Sequence, residues 1–225
     1  MSKKETKKKD EFENVENALT TSEMFIEKYQ KQILIVLGAI VLIVLVVLAV
    51  RNFYIAPREI TAENEIYKAQ AYFDNGAFEE ALNGDGAETM GFKEIVSEYG
   101  ITPSGNLAAA YAGICYYKTG DYQNAIKYLN QFDGKDAYLS ASVTGLIGDS
   151  YVELGETDKA VGFFEKVGEA KNAVMSPIYL KKAGLAYEVL GENSKAEKCY
   201  LKIKDSYPQS YEAQDIDKYI ARVQK

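Results

Sequence analysis

Three short stretches of this chain carry residue types that could do chemistry. Gly148-Asp149-Ser150 matches the opening of the turn that presents a serine nucleophile in esterases. Asp149 and Glu153 set two carboxylates one helical turn apart, the spacing of an acid pair that could share a proton. Asn83-Gly84-Asp85-Gly86 has the glycine and oxygen-ligand content of a calcium loop. Each fails on its surroundings. The serine turn needs a strand before it and a histidine elsewhere, and the chain has no histidine. That absence also removes the commonest general base and the commonest zinc ligand. A calcium loop of the helix-loop-helix type wants an acid where Ala81 stands and a glutamate where Phe92 falls. The glycines here form no dinucleotide fingerprint, and two tight turns explain the segment. Acid pairs one turn apart are usually solvated surface charges. No catalytic residue, metal site, cofactor or small-molecule substrate is expected, and the chain reads as a non-enzyme.

The elements that must position these residues are of two kinds. Residues 33–50 are an unbroken run of eighteen apolar residues, fifteen of them Ile, Leu or Val. As a helix this run spans roughly 27 Å, close to the hydrocarbon thickness of a bilayer. Lys28, Lys31 and Arg51 bound it, and Tyr29, Phe53 and Tyr54 sit where interfacial aromatics belong. A cleaved signal peptide is the alternative, with Val47-Leu48-Ala49 as a weak cleavage site. The apolar core is longer than the ~7–15 residues of a signal, and the segment before it is longer than a signal's n-region. Seven lysines precede the run, while residues 51–90 hold only Arg51, Arg58 and Lys68 as basic residues. That bias keeps the N-terminus cytoplasmic and sends the C-terminal part across.

The first fifty residues are neutral overall, so the net charge of −7 lies on residues 51–225. An acidic domain without basic runs argues against nucleic acid and anionic lipid as partners. Its length suits one domain with a substantial core.

In that domain three marks recur in register. A small residue and a tyrosine three apart occur at Ala69/Tyr72, Gly113/Tyr116, Gly148/Tyr151 and Gly184/Tyr187. A glycine follows each tyrosine by four (Gly76, Gly120, Gly155, Gly191), and an alanine follows each glycine by five (Ala81, Ala125, Ala160, Ala196). Successive units are 44, 35 and 36 residues apart. This predicts pairs of antiparallel helices. The glycine ends the first helix in a left-handed conformation, and the alanine admits close approach. Leu129, Phe164 and Tyr200 fill the remaining space. Asp121, Thr157 and Asn193 are the expected caps of the second helices, and Ser176-Pro177 the expected start of the fourth pair. Cys115 and Cys199, two units apart, are too distant for a disulfide and are expected as buried free thiols.

The pattern resembles the tetratricopeptide repeat, with its small-x-x-Tyr, Gly, Ala, aromatic and final Pro. The resemblance covers roughly residues 62–208. The usual early Trp is replaced by Glu65, Ala109, Thr144 and Leu180, and only the last unit has the terminal proline, at Pro208. The fold expected is all-α: an N-terminal transmembrane helix followed by an α-solenoid of tetratricopeptide-type helix pairs. The divisions expected are a charged, disordered tail over 1–19, a juxtamembrane and transmembrane helix over 20–56, about four repeats over 57–208 with an insertion at 83–91, and a capping helix over 209–225. A capping box at Thr20/Glu23 starts the first helix, residues 55–63 connect it to the repeats, and Pro57 ends it.

In such stacks the first helix of each pair lines the concave surface. Counting from the buried tyrosines puts Gln70, Phe73, Asp74, Ile114, Tyr117, Lys118, Asp149, Val152, Glu153, Lys181, Leu185 and Glu188 toward a protein-binding groove. Phe73, Tyr117 and Leu185 are apolar among charges, as a peptide or protein surface requires. Ile66, Gln70, Ala110 and Ile114 stand where repeat proteins that grip a chaperone's C-terminal carboxylate carry their basic clamp, so that partner class is not expected.

Anchor order, size and repeats together resemble the ancillary Sec-translocon subunit (YfgM-like) family of single-pass bacterial inner-membrane proteins. The resemblance implies a periplasmic scaffold serving the Sec translocon or periplasmic chaperones. An assembly scaffold for another envelope complex, of outer-membrane or cytochrome biogenesis, is the alternative.

Overall fold

The computed structural model describes residues 28–224, which divide into two units at Tyr54/Ile55. The expectations for the 1–19 tail and for the Thr20/Glu23 capping box lie outside the described residues.

In the first unit, residues 28–50 form α1, with every side chain from 30 to 50 exposed. A helix apolar on all sides has no solvent-facing stripe, which is the state of a membrane span or of a helix buried in a large core. Its length and composition are sufficient to cross a membrane. Pro57 does not end the helical run, which extends over Lys28–Asp74. The run passes through a π-helical turn at Arg51–Ile55, and Pro57 enters the first turn of α2 (Ala56–Asp74). A proline ring clashes with the carbonyl four residues back in a regular helix, and a widened turn relieves that clash. The expected connector, residues 55–63, is thus helical.

The second unit is built from α2 and nine further helices: α3 (Phe78–Asn83), α4 (Phe92–Tyr99), α5 (Pro103–Lys118), α6 (Tyr122–Leu129), α7 (Leu139–Glu153), α8 (Thr157–Gly168), α9 (Met175–Val189), α10 (Asn193–Ser206) and α11 (Ile216–Val223). A 3₁₀ turn at Tyr211–Asp215 precedes α11. Among the described residues the only β pairing is a single bridge between Gly84 and Met90. The architecture is all-α, with helix pairs α5/α6, α7/α8 and α9/α10.

The same turn closes the first helix of all four pairs. The carbonyls of Tyr72, Tyr116, Tyr151 and Tyr187 accept from the N–H groups of Ala77, Asp121, Glu156 and Glu192, five residues on, at 2.8–2.9 Å. This bond requires a left-handed residue between, and Gly76, Gly120, Gly155 and Gly191 supply it with φ of 75°, 86°, 75° and 73°. The residue after the glycine is therefore the cap of the next helix. Asp121 fills that role, its carboxylate accepting from the Asn124 N–H at 3.1 Å. Thr157 and Asn193 do not cap; they are the first helical residues, after Glu156 and Glu192. Those glutamates pair instead with Lys159 and Lys195 along the first turn.

The second helices pack as the small residues dictate. A Cβ on Gly113, Gly148 or Gly184 would overlap the side chain of Leu129, Phe164 or Tyr200. Ala81, Ala125, Ala160 and Ala196 are fully buried at the matching contacts. Between pairs, an Asx side chain starts each new helix. Asp136 accepts from the N–H groups of Tyr138 and Leu139, and Asn172 from those of Val174 and Met175. Asn172, rather than Ser176-Pro177, opens α9. Ser176 is buried, donating to the Val167 carbonyl and accepting from the Asn172 N–H.

The first pair is irregular. After Asn83 the chain leaves the helix through Gly84 and Gly86, and Asp85 gathers the N–H groups of Ala87, Glu88 and Thr89 at 2.9–3.0 Å. Those bonds, that from Thr89 foremost, hold its carboxyl far below the ordinary range. α4 then restores the missing helix, with Phe92 buried and stacked on Tyr111 at 5.0 Å. Glu59 ties α2 to the start of α5 by accepting from both the N–H and the hydroxyl of Ser104. At the other end Ile216, Ile220 and Val223 of α11 are buried in the same cluster as α9 and α10.

Candidate functional site

The first helices α2, α5, α7 and α9 follow one another as neighbours, and the twelve groove residues sit toward their C-terminal ends. The structure treats them unequally. Phe73 is half-buried, its ring edge-on to Phe78, Tyr111 and Phe92 at 5.5, 5.0 and 6.4 Å, so it belongs to an aromatic cluster. Gln70 is half-buried, and Asp74 and Lys118 are exposed. Ile114 and Tyr117 lie half-buried over the cluster containing Leu129, Val143 and Ile147. The Tyr117 ring meets Tyr122 edge-on at 5.5 Å. Its hydroxyl is pushed above the ordinary tyrosine value by burial first, then by the charges of Asp149 and Glu153. Tyr117 on α5 is thus within electrostatic reach of Asp149 and Glu153 on α7.

Three of the six groove charges, Asp149, Lys181 and Glu188, have partners. Asp149 accepts from Lys182 through both oxygens, at 2.8 and 2.7 Å, and the same ammonium lies 5.1 Å from the Tyr179 ring centre. Lys181 donates to Asp215 at 2.8 Å and sits 4.3 Å over Tyr219. One oxygen of Glu188 accepts from Tyr200 at 2.5 Å and from Arg222 at 2.6 Å, linking α9, α10 and α11. Asp74, Lys118 and Glu153 stay exposed, and so does an apolar set. Val152 and Leu185 are 43% and 40% exposed, and Val189, on the same stripe as Leu185, is 75% exposed.

Sequence reasoning missed Val189, Lys182, Tyr111, Asp215 and Arg222. Val189 was within reach of the pattern, since it lies four residues beyond Leu185 on one helix. The charge partners were not, because they depend on how far each pair rotates against the next.

The candidate reactive groups are inert in this arrangement. Ser150 is fully buried and donates to the Leu146 carbonyl at 2.8 Å within its own helix. Asp149 is bound by Lys182, so it and Glu153 are not a free acid pair. Cys115 and Cys199 are buried free thiols, raised by burial to about 12 and about 11. Among the described residues no three His, Cys, Asp or Glu side chains gather as metal ligands. The exposed apolar side chains Val152, Leu185 and Val189 lie on helices whose charges Asp149, Lys181 and Glu188 are paired within the protein.

The tetratricopeptide repeat model matches residues 111–135, 146–170 and 179–210, the segments that hold α6, α8, α10 and the C-terminal parts of the helices before them. These three helix pairs are tetratricopeptide-like. No curated protein matches the sequence. Among solved structures, a tetratricopeptide repeat protein from Parabacteroides merdae ATCC 43184 superposes with a TM-score of 0.58 at 19% identity, over 72% of this chain. The match spans 60% of that protein's length. The nearly identical TPR-like repeats of a putative kinesin light chain from Podosopora anserina give 0.52 at 15% identity, over 72% of this chain and 84% of that one. MamA gives 0.50 at 20% identity, over 69% and 92%. At such identities the likeness is one of fold. Tetratricopeptide repeats are typically scaffolds for binding proteins or peptides.

Proposed function

We propose that this chain is a membrane-anchored repeat scaffold that holds a partner protein or peptide on the extracytoplasmic face of a bacterial inner membrane. In this reading α1 is the anchor, residues 33–50 lie in the bilayer, and the lysine-rich N-terminus stays in the cytoplasm. The partner is an exported chain, or a component of the Sec translocon or periplasmic chaperone machinery. The observation that carries the binding role is the exposed stripe of Val152, Leu185 and Val189 on successive first helices, beside charges that are already paired. Left uncovered, such a stripe costs hydration free energy that a partner's apolar side chains would recover.

The test is photocrosslinking in intact cells from a reactive residue at position 117, with protease treatment of spheroplasts. The expected outcome is adducts with translocon or chaperone subunits, and digestion of residues 51–225 that spares the N-terminal lysines. Adducts with outer-membrane or cytochrome biogenesis factors would move the scaffold to another complex. A C-terminal unit shielded from protease, or released from membranes by carbonate, would refute the topology.

A further inference from the structure

A second surface lies away from the groove. An open cleft of about 740 Å³ runs between α6, α7 and α8 and is closed at its edges by the loops that follow α6 and α8. None of the twelve groove residues lines it. Its floor is apolar, with Phe132, Val143, Ile147 and Phe163, and Lys135, Lys166 and Lys171 stand around it.

The two loops are one motif used twice. Lys135-Asp136-Ala137-Tyr138-Leu139-Ser140 recurs as Lys171-Asn172-Ala173-Val174-Met175-Ser176, in the same 36-residue register as the repeat itself. Both Asx side chains cap the helix that follows. Both serines donate back to a main-chain carbonyl, at Gly134 and at Val167. The caps, the serines and the helix N–H groups are thereby consumed. The three lysines are not: none makes an ion pair or hydrogen bond among the described residues. Asp133 is the opposing charge at the rim, and Asp136 is occupied by its cap. Lys171 also holds a left-handed backbone, φ 56°, the one non-glycine residue to do so among those described. A side chain kept where glycine is favoured marks a site worth testing for function.

We propose that this cleft binds an acidic peptide segment, with an apolar side chain on the Phe132 and Phe163 floor and carboxylates at Lys135, Lys166 and Lys171. Three reasons favour a peptide over a small anion. The volume is that of a site for a sizeable ligand. The helix N–H groups that would cradle a phosphate are already taken by Asp136 and Asn172. Lysines carried on α8 and on the loops after α6 and α8 suit charges spaced along a chain. The lysines form a basic rim on a domain that is otherwise acidic.

The test uses the full chain in neutral-lipid nanodiscs and fluorescence anisotropy with a labelled peptide alternating glutamate with leucine and phenylalanine. Replacing all three lysines by glutamate should weaken binding by about tenfold or more at unchanged melting temperature, since each amine is exposed and unpaired. Lys171→Gly separates binding from folding most cleanly: it should raise the melting temperature by relieving the backbone while lowering peptide affinity. Equal binding by the triple variant overturns the proposal. So does equal binding of a peptide with lysine in place of glutamate, or displacement of the peptide by inorganic phosphate alone.

Discussion

Two glycines lie in one repeat, and the structure predicts opposite outcomes for the same substitution at each. Gly148 sits in α7 against Phe164. A Cβ there would lie 2.5 Å from Cε1 and 2.8 Å from Cδ1 of that ring, inside any tolerable contact. The ring has little room to retreat, being 2% exposed with the Tyr179 ring centre 6.1 Å away. Overpacking of this kind costs about 1–3 kcal/mol. Against it, alanine is favoured over glycine inside a helix by about 0.5–1 kcal/mol. Gly148→Ala should therefore destabilise by about 1–2 kcal/mol on balance. Gly162 lies in α8 with nothing within 4 Å of its Cβ position. There the helix preference acts unopposed, and Gly162→Ala should stabilise by about 0.5–1 kcal/mol. For a unit of this size each kcal/mol moves the melting temperature by roughly 2–4 °C. Thermal melts of the detergent-solubilised chain, followed by circular dichroism, should show Gly148→Ala several degrees below the wild type and Gly162→Ala a few degrees above. Adding Phe164→Leu to Gly148→Ala should recover part of the loss. A Gly148→Ala protein as stable as the wild type would refute the close helix approach from which the repeat packing is argued.

Leu185→Ser and Val189→Ser should reduce partner recovery in pull-downs while changing stability by less than about 0.5 kcal/mol, because both side chains face solvent. Tyr117→Ala should lower recovery and the melting temperature together, since its ring is half-buried against Tyr122. Glu59→Ala strands the N–H and hydroxyl of buried Ser104; a loss of about 1–2 kcal/mol is expected, with faster amide exchange in the first turn of α5. The buried thiols give a pH test. Their folded values of about 12 and about 11 lie above the ordinary thiol value, so their contribution is complete below that value and is lost as pH rises through it. The melting temperature should fall from about pH 8.5 upward, and less steeply in Cys115→Ala/Cys199→Ala. Identical slopes for the two proteins would remove the thiols from the account.

The parts of the fold legible in the sequence are those where one residue type is nearly obligatory. Only glycine adopts the left-handed turn cheaply, so Gly76, Gly120, Gly155 and Gly191 announced the helix pairs, and the small residue facing Leu129, Phe164 or Tyr200 announced their contact. The caps were less legible. Thr157 and Asn193 are better capping types than Glu156 and Glu192, yet the turn fixes the cap at the residue after the glycine, and local preference yields to that geometry. Phe73 was counted into the groove by rotation about its own helix. The count could not include α4, which the insertion displaces and which sets Phe92 against that ring beside Tyr111 of α5. The ion pairs Asp149–Lys182, Lys181–Asp215 and Glu188–Arg222 span 33 or 34 residues. Nothing in a period of 35 or 36 says which turn of one helix meets which turn of the next.

Those pairs bear on how the two proposed surfaces would select their occupants. In the groove, the charges of Asp149, Lys181 and Glu188 are neutralised within the protein, and the exposed apolar surface is Val152, Leu185 and Val189. A partner there gains from apolar burial, which salt leaves nearly untouched. At the cleft the amines of Lys135, Lys166 and Lys171 have no internal partner, and an acidic segment would be drawn by charges that salt screens within about 10 Å at 0.1 M. Raising the ionic strength should therefore strip an occupant from the cleft while leaving one in the groove. The same salt series, read with the Leu185→Ser/Val189→Ser protein and with the lysine variant, assigns each binding event to its surface. Loss of both occupants together would mean that the two sites bind one partner through charge, against the apolar contact proposed for the groove.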